Sequence, residues 1–146
     1  MISRPGFTDW FGDGVFKDRC GRPSVFYHGT DSGTQFNVFS RTEESSIGFH
    51  FGDLAAAQAR VDLIDMGERE TGWGAIIPVY CNGARPLRLM DHHTWSLRNV
   101  CNELAELGII DDDGYDLIEE ACDEHAIFAA IELAGYDCVV YRNVTE

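Results

Sequence analysis

The sequence predicts an α+β fold. Short runs rich in Val, Ile, Phe and Tyr alternate with stretches of helical periodicity, and the runs are too irregularly spaced for the repeating βαβ units of a doubly wound sheet. No internal repeat, low-complexity tract or Gly/Ser/Pro-rich linker divides the chain, so a single domain over residues 1–146 is expected. A chain of that size buries roughly two thirds of the surface its unfolded form exposes. The composition, 45% apolar and 25% charged, is that of a globular chain, and no run approaches the roughly 20 apolar residues that span a bilayer.

Each element has a local signal. Phe7, Trp10 and Phe11 cluster as on one helical turn. Val15-Phe16 and Ser24 to Tyr27 flank KDRCGRP, whose Gly21 and Pro23 favour a turn, so a hairpin is expected there. The run VFYHGT, residues 25–30, reads as a strand that stops abruptly on His28-Gly29. A polar stretch containing Phe36, Val38 and Phe39 separates it from Ile47 to Phe51, which reads as another strand. Asp53 then caps a helix whose alanines favour it and which Gly67 ends.

Residues 73–81 have strand density, with Pro78 placing them at an edge or a bulge. Asn82-Gly83 turns the chain, and Leu87 and Leu89 alternate. Asp91 to Thr94 reads as an exposed loop feeding a helix on which Leu97, Val100, Cys101 and Leu104 share a face and Gly108 is the stop. Asp111 to Gly114 is a break, Tyr115 to Leu133 a second helical region ended by Gly135, and Cys138 to Tyr141 the last strand.

Composition also excludes functions. Acidic side chains outnumber basic ones 25 to 11, and the net charge of −14 repels phosphate backbones, so direct nucleic-acid binding is not expected. The same excess serves solubility, or mimicry of nucleic acid toward a basic partner. Five cysteines without a CxxC pair suggest reduced, packed thiols rather than a disulfide framework. His92-His93 has no accompanying ligand set, and no metal is expected. The opening residues have neither an apolar run nor a small-residue cleavage site, so no secretory signal and a cytoplasmic location are expected.

Taken in order, Trp10 to Asp13, Val15-Phe16, Gly21-Arg22-Pro23, Tyr27 to Thr30, Gly48 to Phe51, Pro78 to Leu89 and Gly135 to Arg142 resemble the colinear motifs of a known family. The family is that of the phage and mobile-element ADP-ribosyltransferase domains of polyvalent-protein type, related to the diphtheria-toxin and poly(ADP-ribose) polymerase branch. Each motif alone is weak; their order and spacing carry the resemblance. It implies an ADP-ribosyltransferase-like fold: two small, mostly antiparallel sheets around an NAD cleft, with flanking helices.

The resemblance also implies site residues. His28 bonds a ribose hydroxyl of NAD and the Gly29 backbone holds the nicotinamide carboxamide, with Thr30 alongside; a glycine lets the backbone approach a flat ligand. From the residues alone, His28-Gly29 reads equally as a strand end with a turn. Gly48, Phe49, His50 and Phe51 would line the nicotinamide side, His50 standing where relatives place tyrosine, unless alternation turns His50 outward and Phe49 and Phe51 inward. A second stacking tyrosine of the relatives is replaced by Arg60 or Val61.

The catalytic acid is the open position. Relatives carry it before a strand that this sequence lacks beyond Arg142 to Glu146, so either that strand is missing or another acid serves. Glu146, Asp123 and Glu124 are the candidates, ahead of Glu119, Glu120 and Asp137. A carboxylate there stabilises the oxocarbenium-like ribose left as nicotinamide departs. The expected activity is transfer of ADP-ribose from NAD to a protein, a host protein if the chain is a phage or mobile-element effector, in the cytoplasm of a host cell. The alternatives are an NAD glycohydrolase, an NAD-binding module without turnover, and an acidic inhibitor or interaction module.

Overall fold

The computed structural model describes residues 6–30, 39, 48–66, 74–92, 95–121 and 124–142. In chain order they form α1 (Phe7–Phe11), β1 (Val25–Thr30), α2 (Leu54–Met66), β2 (Ala75–Tyr80), β3 (Pro86–Arg88), α3 (Leu97–Glu106), α4 (Asp112–Ala121), α5 (Glu124–Leu133) and β4 (Cys138–Val140). Two compact units result: one holds α1, β1, α2 and β2, the other β3, β4 and the last three helices. Each has a two-stranded sheet, antiparallel in the first unit and parallel in the second. The mixed α+β class read from the sequence holds.

In the first unit the KDRCGRP segment is a tight hairpin. Lys17 bridges Pro23, the Asp18 amide donates to the Arg22 carbonyl at 2.7 Å, and Gly21 takes φ +77°, a left-handed value that suits glycine. The Asp18 carboxylate accepts from the Arg22 and Cys20 amides and pairs with the Arg22 guanidinium. The Arg22 amide above all holds its carboxyl below the usual range, against the opposing effect of desolvation.

β1 runs antiparallel to β2 with Val25 opposite Tyr80 and Thr30 opposite Ala75. Pro78 falls opposite Tyr27, whose amide and carbonyl both turn the other way, to Gly52, at 2.9 and 3.0 Å. Pro78 therefore removes no ladder bond, which is how a proline sits inside this strand. On the far edge the strand expected at Ile47 to Phe51 is not formed by its described residues, 48–51; Tyr27–Gly52 is an isolated bridge. Gly48 at φ +70° is outside extended geometry, so the segment enters without a ladder.

α2 starts where Asp53 Oδ1 accepts the Ala56 amide at 2.9 Å, as the sequence predicts. It lies on the sheet across two glycines. A Cβ on Gly29 would stand 2.5 Å from the Ala57 carbonyl oxygen, and one on Gly74 would collide with the Val61 side chain. Ala57 and Val61, on the helix's inner face, are buried.

In the second unit Leu87 and Leu89 alternate inward from β3 and just beyond it, against Val100, Cys101 and Leu104 of α3, Ile118 of α4, and Ile127 and Ile131 of α5. Ser96 caps α3 by accepting the Asn99 amide, and Gly108 at φ +68° ends it, so the four-residue apolar face read from the sequence is the face that packs. Parallel β3 and β4 require a long crossover, and α3 to α5 supply it. The helical region expected over 115–133 holds α4 and α5, and α4 begins earlier than the sequence reading placed it. The reason is Asp111, read as part of a break, whose carboxylate accepts the Gly114 amide at 2.9 Å in the manner of an N-cap.

Two carboxylates tie this unit's loops. Asp137 accepts the Ala84 and Arg85 amides, both at 2.9 Å, and its own amide donates back to the Arg85 carbonyl. Desolvation pushes its carboxyl up, but the Ala84 and Arg85 amides, the Cys138 thiol and the Arg85 charge outweigh that and hold it below its ordinary value of 3.8. Glu103, buried on α3, accepts the Met90 amide at 2.8 Å and His92 Nε2 at 2.7 Å. His92 is thus not in an exposed loop as the sequence suggested: its side chain is 14% exposed and its ring meets Trp95 edge-on.

Two stability predictions follow from these clips. Glu103→Ala strands His92 and the Met90 amide, and is expected to cost about 3 kcal/mol in urea unfolding. Asp137→Ala is expected to cost about 1–2 kcal/mol at pH 6. Because the folded value of Asp137 is depressed, that difference from wild type is complete above the unfolded value of 3.8 and disappears as pH falls through the lower folded one. A difference that persisted at pH 2 would assign the loss to something other than the carboxylate.

Candidate functional site

Successive residues of β1 point to opposite faces, and the two faces have different tasks. Gly29 looks toward α2, as its closeness to Ala57 requires. His28 looks to the other face, among aromatic rings: Phe39 at 5.3 Å, Phe51 at 5.6 Å and Phe49 at 6.0 Å between centroids. Phe39 in turn meets Phe49 at 5.1 Å and Phe51 at 5.3 Å.

His28 Nδ1 lies 2.8 Å from the His50 carbonyl oxygen. A carbonyl only accepts, so Nδ1 carries the proton; in the neutral ring Nε2 is then an acceptor. The same bond explains how the ladder on this edge ends. Tyr27 faces Gly52, so the next position of that register would set Gly29 opposite His50. The His50 carbonyl is instead engaged by the imidazole. By alternation with Tyr27, the Gly29 amide and carbonyl turn away from β2, toward the edge that the Gly52 bridge has just left.

The expected site residues are distributed as follows. His28, Gly29 and Thr30 form the end of β1, and Phe49, His50 and Phe51 come to them through the ring contacts and the His50 main chain. Gly48 belongs by its contacts to the second unit, where a Cβ would stand 3.1 Å from Phe128. Of the two residues at the position where relatives stack a tyrosine, Arg60 is exposed and Val61 is buried on the inner face of α2 against Gly74. Asp123 and Glu146 lie outside the described residues, as does the side chain of Glu124, the first residue of α5.

Two lesser candidates for the acid have structural employment. Asp137 holds the Ala84–Arg85 turn, and Glu119 pairs with Arg98 at 2.6 Å. Glu120 is exposed on α4. The sequence reading missed Phe39, Glu103 and the role of His92. A phenylalanine in an otherwise polar stretch was the available signal for the first; nothing local marks the other two, because their pairing joins residues separated along the chain. Among the described residues no three His, Cys, Asp or Glu side chains gather as metal ligands would.

Gly29 is needed for packing whatever it binds. Gly29→Ala is expected to lose about 1–3 kcal/mol by overpacking against α2, measured by urea unfolding; unchanged stability would show that α2 yields without cost.

A family model, ADP-ribosyltransferase in polyvalent proteins, matches residues 18–146. No curated protein and no solved structure matches the chain. No helix among the described residues is long and apolar enough to cross a membrane. The match extends from the hairpin through β1, with its His28-Gly29 end, to the residues beyond β4, and on that basis the chain belongs to the family of ADP-ribosyltransferases in polyvalent proteins, whose general role is ADP-ribosyl transfer.

Proposed function

We propose that the chain cleaves NAD and transfers its ADP-ribose to a protein acceptor, with nicotinamide released. The observation that carries the reading is the end of β1. His28 has its Nδ1 proton committed to the His50 carbonyl, which leaves Nε2 to accept from a ribose hydroxyl. One residue on, the Gly29 amide and carbonyl face outward together, a donor and an acceptor spaced for a carboxamide. These are the roles that family resemblance gives the two residues.

In the proposed step the glycosidic bond between the ribose C1′ and the nicotinamide nitrogen breaks. The bonding pair leaves with nicotinamide, which departs neutral and needs no proton. An acceptor oxygen, nitrogen or sulfur forms the new bond to C1′ and loses its proton to a base or to solvent. Positive charge develops on the ribose, so His28 contributes by fixing the hydroxyl and the ring, and a carboxylate stabilises the cation. Asp123, Glu124 and Glu146 are the proposed carboxylates. His50 acts on His28 through its main-chain carbonyl, and its imidazole is proposed to line the nicotinamide side. A phage or mobile-element effector acting on a host protein in the cytoplasm is the biological setting this proposal fits.

The test uses NAD labelled on adenine, with and without a cell lysate, comparing wild type with His28→Ala while free nicotinamide and labelled protein are measured. Wild type is expected to release nicotinamide and label a protein band, and His28→Ala to lower both by about a hundredfold. Release without a band would assign water as acceptor. NAD binding without release would leave a binding module, and neither binding nor release would overturn the reading.

A further inference from the structure

We propose that Phe39 is a positioning residue that holds the His28 imidazole in its Nδ1-protonated, Nε2-accepting form; the catalytic part of this proposal rests on the NAD-cleaving role given to His28 above. Three observations lead to it. Phe39 stands 5.1–5.3 Å from each of His28, Phe49 and Phe51, whereas His28 itself is farther from Phe49 and Phe51, at 6.0 and 5.6 Å. Its contact with His28 is edge-to-face, at 84° between planes. The bond that sets the tautomer, Nδ1 to the His50 carbonyl, involves a residue flanked on both sides by the other two rings, Phe49 and Phe51.

The physical link is direct. A single hydrogen bond leaves an imidazole able to swing about its Cβ–Cγ bond, and a swing of the ring takes Nδ1 off the carbonyl. An edge-to-face ring blocks that swing and contributes about 0.5–1.5 kcal/mol beyond the area it buries. Phe39 also packs on Phe49 and Phe51, which bracket His50, so the same ring steadies the imidazole and the segment that carries its acceptor. Without it the imidazole can turn to water and take the other tautomer, in which Nε2 donates and no longer accepts. A ribose hydroxyl then loses its acceptor although His28 remains.

The experiment has a spectroscopic arm and a kinetic arm. In 15N-histidine-labelled protein, with the His28 signal assigned by its loss in His28→Ala, wild type is expected to show a protonated Nδ1 and an unprotonated Nε2 at a pH where the ring is neutral. Phe39→Ala is expected to give a mixture of tautomers. Phe39→Leu, which keeps apolar volume and so protects the fold, is expected to show the same loosening to a smaller degree. Far-UV circular dichroism identifies any variant that has unfolded.

In the kinetic arm Phe39→Ala is expected to lower kcat/KM for nicotinamide release about tenfold in the wild-type background and less than twofold on top of His28→Ala, because the ring acts through the imidazole. Losses that add in full, or a His28 spectrum unchanged in both Phe39 variants, would overturn the proposal. If wild type releases no nicotinamide, the transferase reading fails by itself, and the tautomer spectra alone then decide for or against Phe39.

Discussion

The first unit depends on how closely α2 approaches its sheet. The Ala57 carbonyl occupies the place where any residue but glycine at position 29 would carry its Cβ, and Val61 does the same at Gly74. Two glycines, one on β1 and one just before β2, thus let the helix settle on the pair at a distance that larger side chains would forbid. Gly29 is constrained from that side before any ligand is considered. Its peptide groups lie in the plane of the sheet, perpendicular to that contact, so filling the face does not engage them.

The edge itself is shaped by a side chain taking the place of main chain. A strand paired through Tyr27 and Gly52 would continue to Gly29 and His50, and would cover the Gly29 amide and carbonyl at the end of β1. The His28 imidazole accepts no such continuation: it holds the His50 carbonyl at 2.8 Å, while Gly48 has already taken the chain out of extended geometry. One hydrogen bond therefore orients the histidine and engages the carbonyl that such a continuation would use. The phenylalanines around it supply an apolar setting in which such a bond is worth more than in water.

The second unit solves a different problem, that of holding irregular chain against a small helical core. Its buried carboxylate, Glu103, is satisfied at both oxygens by groups from the segment after β3, and Asp137 clasps the turn before β3 with both of its own. Both acids thus work as clips, with hydrogen bonds to main chain doing part of the satisfying. In a chain with 25 acidic residues, acids spent on structure cannot be told from those left for chemistry by counting.

The sequence by itself determined the class, the apolar faces and most of the element boundaries. Asp53 and Gly108 mark ends through a side chain and a φ angle, and Val100, Cys101 and Leu104 mark a face through spacing of 3.6 residues, all of which are local properties of the chain. The order of weak motifs was enough for the family. Only the tertiary structure decided what lay between segments: that 48–51 would not join a ladder, that β3 and β4 run parallel, that His92 is clamped by Glu103, and that Phe39 packs on His28. Those outcomes depend on which distant groups compete for the same carbonyl, carboxylate or ring face. A period or a cap is written within a few residues, whereas such a competition is settled only when the chain has brought the rivals within hydrogen-bond distance.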